Sequence, residues 1–70
     1  MMPLTFAPQN EVLCIQKIGG NPEMKKHLED MGFVVGGKVT VVSTISGNLI
    51  VSVKETRVAL DRSMASRIMV

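Results

Sequence analysis

One short segment, residues 28–41, places a helix end, a forced turn and the start of a strand within fourteen positions. Gly32 can adopt the left-handed conformation that ends a helix, and Phe33 can then pack back on the last helical turn. Gly36 and Gly37 permit a tight turn before an alternating apolar run. A chain with this junction is predicted to form a small β-rich fold that contains one short helix.

Capping chemistry marks the start of that helix. Asn21 can accept a hydrogen bond from a free amide of the first turn, Pro22 pre-sets φ, and Glu23 complements the helix dipole. An apolar stripe follows at helical spacing, with charged residues on the other side. The stripe consists of Met24, Leu28 and Met31. The sequence therefore predicts a helix of about two to three turns, at 3.6 residues each.

Strands are predicted on both sides of the helix. In residues 11–18, the apolar Leu13 and Ile15 are two positions apart and are flanked by Glu11 and Lys17, so we expect a first strand there. Near the carboxyl end we expect a short strand, a single helical turn, and a last strand that pairs with an early strand and closes a barrel. These three elements are predicted at Arg57–Leu60, from the N-cap Asp61 through Ala65, and at Arg67–Val70.

The register of the central hairpin is predicted from its apolar pattern. A two-residue loop at Gly47-Asn48 would place Val41 opposite Lys54 and break the apolar face, because a shift of one residue turns every side chain over. We therefore expect a three-residue loop that also includes Ser46. With this loop, the inward face comprises Val39, Val41, Ile45, Leu49, Val51 and Val53, and the outward face comprises Thr40, Val42, Thr44, Ile50, Ser52 and Lys54.

Val42 and Ile50 are therefore apolar side chains on an otherwise polar outward face. One interpretation is that Leu4 and Phe6 fold over them, or that barrel curvature covers them. The other is that they form a patch that binds a partner.

Composition indicates a single domain, residues 1–70. The elements predicted above make it an all-β, barrel-like fold with one short α-helix and one helical turn. The chain is 46% hydrophobic but has only two aromatic residues, so aliphatic side chains and Met must build its core. A net charge of +2 is not a nucleic-acid signature, and a chain without Trp or Tyr lacks the aromatic platforms that polyproline and single-stranded nucleic-acid binders use. No phosphate-loop frame and no nucleophile with an oriented base is evident, so we expect no enzyme.

The sequence also favours a cytoplasmic protein. It has no apolar run of the roughly 20 residues that a membrane span needs. Its first ten residues lack the basic start and hydrophobic core of a secretory signal, and its single cysteine allows no internal disulfide. We therefore expect no membrane insertion.

Metal ligands are sparse. The chain has one His and one Cys, and no spacing typical of a three- or four-ligand site. His27, Glu29 and Cys14 are weak candidates only. The six methionines are best explained as core filling. We therefore expect no required cofactor, and at most weak binding of a transition metal such as ferrous iron.

Several short motifs of apolar and glycine residues follow one another along nearly the whole chain, from about Leu4 to Val70. It reads Leu28-x-x-Met31-Gly32-Phe33-x-x-Gly36-x-x-Val39-x-Val41, then Ile50-Val51-x-Val53, Arg57-x-Ala59-Leu60 and Ala65-x-x-Ile68-x-Val70. In this order and spacing the motifs resemble the FeoA family, small cytoplasmic partners of the bacterial ferrous iron transporter FeoB. The resemblance implies an SH3-like barrel, a fold also found as the carboxy-terminal domain of metal-dependent repressors. His27 departs from the family, in which Arg often occupies that position.

The resemblance further implies a non-enzymatic accessory protein that docks on the cytosolic GTP-binding domain of FeoB. The contact residues expected from the strands are Val42, Ile50, Lys54 and Arg57, with Lys25 and Lys26 on the helix adding electrostatic steering. The alternative is a metal- or partner-binding domain in a metal-dependent regulator system. Because the chain has no helix-turn-helix, DNA recognition would then require another protein.

Overall fold

Six short strands, two α-helices and one turn of 3-10 helix make up the computed structural model, which describes residues 1–70. The 3-10 turn is Leu4–Phe6, and the strands and helices that follow are β1 Val12–Cys14, β2 Lys17–Ile18, α1 Pro22–Asp30, β3 Lys38–Ile45, β4 Asn48–Val53, β5 Thr56–Leu60, α2 Arg62–Ala65 and β6 Ile68–Met69. The predicted fold class, mainly β with one short helix and one helical turn, is confirmed.

The first predicted strand is in fact two strands that belong to different sheets. The larger sheet has the order β1-β3-β4-β5, and β2 pairs with β6 in a second sheet. The chain changes partner at Ile15 and Gln16: the Ile15 N–H donates to Gly37 O at 2.8 Å, and the Gln16 N–H donates to Met69 O at 2.7 Å. A single strand over residues 11–18 was therefore wrong, because the barrel bends where the chain passes from one sheet to the other.

The last strand pairs with an early strand, as predicted, although β6 is shorter than the expected Arg67–Val70. Lys17 stands opposite Met69 and Ile18 opposite Ile68. Beyond this pair of strands, the Met2 N–H donates to Val70 O at 2.9 Å, and the Val70 N–H donates to Met2 O at 2.8 Å. Both ends of the chain are thus held in hydrogen-bonded ladders.

The interior is entirely apolar. Phe33 is its only aromatic side chain, and no polar or charged residue is buried. The core consists of Leu4, Ile15, Ile18, Leu28, Phe33, Val39, Val41, Leu49, Val51, Val53, Leu60, Ala65 and Ile68, with Met24, Met31 and Met64 packed against it. Core filling is therefore a sufficient role for these three methionines.

Helix α1 begins and ends as its sequence predicts. The Asn21 Oδ1 accepts from the Met24 N–H at 2.8 Å. At the other end the Phe33 N–H donates to Leu28 O and the Gly32 N–H donates to Glu29 O, both at 2.9 Å, which is the pattern of a Schellman motif. Gly32 has φ +106°, and the side chains of Leu28 and Phe33 are fully buried at this junction.

The β3–β4 hairpin corrects the predicted loop. Ile45 stands opposite Asn48, so the loop has two residues, Ser46 and Gly47. Both have positive φ, 49° and 85°, as a type I′ turn requires, and this turn matches the twist of the flanking strands. The register then shifts at a β-bulge that contains Val42.

Because of the bulge, the predicted inward set is nearly correct despite the wrong loop. Val41 stands opposite Val51 and Val39 opposite Val53, and all four are buried. Ile45, by contrast, is 59% exposed and does not join the core. The extra residue at the bulge absorbs the one-residue shift that would otherwise have reversed the face.

The remaining predicted elements lie close to their expected positions. Strand β5 starts at Thr56, one residue before the predicted Arg57. The Asp61 Oδ1 accepts from the Met64 N–H at 2.7 Å and caps the single turn of α2.

Candidate partner-binding face

The four-stranded sheet shows one side to the core and the other to solvent. On the solvent side Val12, Thr40, Ser52 and Arg57 are aligned across the four strands. The next row toward the β3–β4 loop contains Ser43, Ile50 and Ala59, with Val42 at the bulge. We call these eight residues the outer face. None of them is acidic, and Arg57 is the only charged one.

Ile50 lies near the middle of the outer face. It stands between Ser43 on one neighbouring strand and Ala59 on the other, and it is half-buried, as is Val42. The N-terminal segment does not fold over them as one interpretation expected. Leu4 is fully buried in the core, and Phe6 is 71% exposed. The apolar side chains of the outer face are therefore displayed to solvent in part.

Val12 belongs to this face, although sequence reasoning did not single it out. It is 67% exposed and lies opposite Thr40. Its alternation with the inward-facing Leu13 and Ile15 was the available signal, because strand neighbours point to opposite sides of a sheet. Together with Val42, Ile50 and Ala59, Val12 gives the outer face an apolar contribution from all four strands.

The predicted basic residues do not all share this face. Arg57 is exposed on β5, opposite Ser52. Lys54 is in the β4–β5 turn, and its side chain runs toward the end of α1: a methyl group at Gly32 would lie 3.5 Å from Lys54 Cδ. Lys25 and Lys26 are exposed on α1, outside the sheet. The structure therefore groups Val42, Ile50 and Arg57 and separates them from the three lysines.

The candidate metal ligands are likewise dispersed. His27 and Glu29 are exposed on α1, where residues two positions apart point in different directions. Cys14 is half-buried on β1, with its Sγ 3.9 Å from Ile15 O. No group of three or more His, Cys, Asp and Glu side chains converges anywhere in the chain. A resident transition-metal site takes three or four ligands, so these donors do not fit one.

Two further features describe the molecular surface. It has no pocket, so the outer face is an open surface and not a cleft. Neither helix has the length and the apolar run that crossing a lipid bilayer requires.

A small barrel of short strands with one sheet face open to solvent is typical of β-barrel binding modules, and comparison with known proteins identifies the type as SH3-like. The chain belongs to the FeoA family, accessory proteins of ferrous iron transport, because the family model described as FeoA domain matches residues 2–70. It is 34% identical over 70 residues to a Methanocaldococcus jannaschii protein provisionally named Fe(2+) transport protein A, covering 100% of this chain and 85% of the relative.

Two solved structures agree with this assignment. The crystal structure of an iron uptake regulatory protein (FeoA) superposes with a TM-score of 0.88 at 26% identity, covering 97% of this chain and 90% of the other. FeoA of Stenotrophomonas maltophilia, described as a prokaryotic SH3 domain protein and crystallised in complex with zinc, gives a TM-score of 0.83 at 28% identity, covering 99% and 88%. The predicted family and SH3-like fold are confirmed.

Proposed function

We propose that this protein is a cytoplasmic, non-enzymatic accessory factor of ferrous iron uptake that docks through its outer face on the cytosolic GTP-binding domain of a FeoB-like transporter. Membership of the FeoA family supports the process. The observation that carries the docking surface is Ile50, half-buried in the centre of a sheet face that also displays Val12 and Arg57. The 34% identity to a relative named as an Fe(2+) transport protein A, of which the chain covers 85%, favours a transport accessory over a regulator domain.

The outer face has the makeup of a small binding surface. An apolar centre excludes water on contact, and Arg is among the residues that most often contribute strongly at interfaces. Ile50 and Val12 would supply apolar contact, and Arg57 would pair with an acidic group of the partner. The surface is small, so we expect a transient complex rather than a permanent one.

Lys54, Lys25 and Lys26 have a different role in this proposal. They lie off the outer face, so they would raise the association rate through long-range attraction more than they would lower the dissociation rate. Their contribution should therefore fall as ionic strength rises, because salt screens exposed charges beyond about 10 Å at 0.1 M.

Docking would influence transport or nucleotide turnover only through differential affinity. If the accessory protein binds one nucleotide state of the transporter domain more tightly, it shifts the population toward that state by the corresponding factor. A protein without a pocket or catalytic group can therefore act on a GTP-binding partner.

Ile50→Asp tests the docking surface. A carboxylate at the centre of an apolar contact would have to be desolvated without a partner, so we expect at least about a tenfold loss of affinity, or about 1.4 kcal/mol. Affinity is measured by titrating the labelled protein with the purified cytosolic domain of a FeoB-like transporter, with and without guanine nucleotide, and following backbone amide shifts by NMR.

Val35→Asp is the matched control, because Val35 is 65% exposed in the turn before β3 and lies outside the outer face. It should leave binding unchanged. Equal binding by Ile50→Asp and the wild type, with both spectra folded, would contradict the proposal. If Ile50→Asp does not fold, Val12→Asp is used instead, because the Val12 side chain is more exposed than that of Ile50.

Weak contact with ferrous iron is a separate proposal, centred on His27. The proposal is suggested by the zinc complex of the Stenotrophomonas maltophilia protein. Because the donor side chains of this chain are dispersed, we expect a metal ion to contact only one or two of them. Titration with Co²⁺ as a paramagnetic probe should broaden the α1 amides near His27 in the wild type and not in His27→Gln. Broadening that is the same in both proteins would remove His27 from this role.

A further inference from the structure

Strand β5 is an open edge of the larger sheet. It pairs with β4 on one side, and the strand order ends there. Residues flanking a two-residue hairpin loop form a hydrogen-bonded pair, and such pairs alternate along the ladder. Val53 and Thr56 flank the Lys54-Glu55 loop, so the backbone groups of Arg57 and Ala59 point away from β4.

Those outward groups have no partner within the molecule. None of the backbone hydrogen bonds outside the regular helices and strands involves a residue of β5. Arg57 and Ala59 are also exposed, so no loop or helix covers this edge. The edge contains no proline and no bulge, which are common devices against strand addition.

We propose that the β5 edge pairs with the β5 edge of a second copy of this chain, forming an antiparallel two-fold dimer. Three registers would use the outward groups of Arg57 and Ala59. Placing Arg57 opposite Arg57 brings like charges together. Placing Arg57 opposite Ala59 brings Glu55 of one copy opposite Asp61 of the other, which is also repulsive.

The third register is complementary in charge. It places Ala59 opposite Ala59 on the two-fold axis and Arg57 opposite Asp61 at both ends. Residues 57, 59 and 61 share the solvent side of the strand by alternation, so each Arg57 side chain would meet an Asp61 carboxylate. Asp61 uses Oδ1 to cap α2, which leaves Oδ2 for the guanidinium of the partner copy.

A charge-exchange experiment tests this pairing. In Arg57→Asp alone, Asp would face Asp61 across the axis, and in Asp61→Arg alone, Arg57 would face Arg, so each variant should dimerise more weakly than the wild type. When the two variants are mixed, a heterodimer again has an opposite-charge pair at each end, because position 57 of each copy faces an opposite charge at position 61 of the other. Sedimentation at about 10 µM to about 1 mM protein suits an interface below the standard size.

We expect the wild type to dimerise in this range, each variant alone to lose at least about tenfold in affinity, and the mixture to recover it. Ala59→Pro is a second variant, because it removes an N–H that faces away from β4 and should abolish the dimer while leaving the β4–β5 ladder intact. It also keeps the proposal testable if loss of the Asp61 cap unfolds α2 in Asp61→Arg.

A wild type that stays monomeric at about 1 mM would overturn the pairing, as would a dimer that survives Ala59→Pro with unchanged affinity. The dimer stands independently of transporter docking, since Ile50→Asp tests one and Ala59→Pro the other. Arg57 belongs to both surfaces, so the dimer and the docked state should exclude each other.

Discussion

At the scale of single residues, the least favourable backbone is in the β4–β5 turn. Lys54 and Glu55 both have positive φ, 48° and 63°, although neither is Gly or Asn. The left-handed conformation costs an L-residue about 1–2 kcal/mol. The other two-residue hairpin turn relieves half of this cost with Gly47. The strain remains in the turn that joins β4, which carries Ile50, to β5, which carries Arg57.

Glu55→Gly should therefore stabilise the protein by about 1 kcal/mol, since glycine adopts a positive φ without a steric penalty. The free energy of unfolding is measured by urea denaturation. Glu55→Ala is the control: it removes the same carboxylate but keeps a Cβ, and it should give no gain. Equal stability of the two variants would mean that the turn is not strained.

At the scale of elements, local chemistry was sufficient to predict the helix ends. The caps Asn21 and Asp61, and the Gly32-Phe33 helix end, each use contacts within five residues, and the structure has them as predicted. The β3–β4 loop and the break at Ile15 were missed. The loop was missed because the bulge at Val42 shifts the apolar pattern from which its length was inferred. The break at Ile15 was missed because it depends on which distant strand the chain pairs with.

The difference between local and long-range contacts also explains which residues of the candidate face were predicted correctly. Strand alternation predicted that Ile50 faces outward, and the structure has it on the same side of the sheet as Arg57. Lys54 was assigned to that side by alternation too, but the turn sends its side chain toward Gly32. Its direction depends on where α1 ends in space, which alternation along one strand does not encode.

Asn21→Ala should lower the free energy of unfolding by about 1 kcal/mol, because the Met24 N–H at the start of α1 loses its acceptor. Urea denaturation measures the change, and Asn21→Asp, which retains a capping oxygen, is the control. If both variants unfold at the same urea concentration, the cap does not contribute to stability.

At the scale of the whole molecule, barrel closure depends on residues near the end of the chain. Ile68 is fully buried and pairs with Ile18, whereas its neighbour Met69 is only half-buried. Ile68→Ala should therefore lower the free energy of unfolding by about 3 kcal/mol, a large part of the stability of so small a domain.

Met69→Ala, on the same short strand, should lower it by about 1 kcal/mol or less, since less apolar area leaves contact. Urea denaturation measures the free energy of unfolding of both variants. Equal losses would show that the last strand frays and that closure contributes little.

The passage of one chain segment between the two sheets has a consequence for motion. Residues 12–18 hold β3 at one end and β6 at the other, so neither sheet can open without pulling on its neighbour. Amide hydrogens in β4 and β6 should then exchange through one common opening of the molecule. We therefore expect whatever this domain recognises to meet a preformed surface, and the conformational change that follows to occur in the partner.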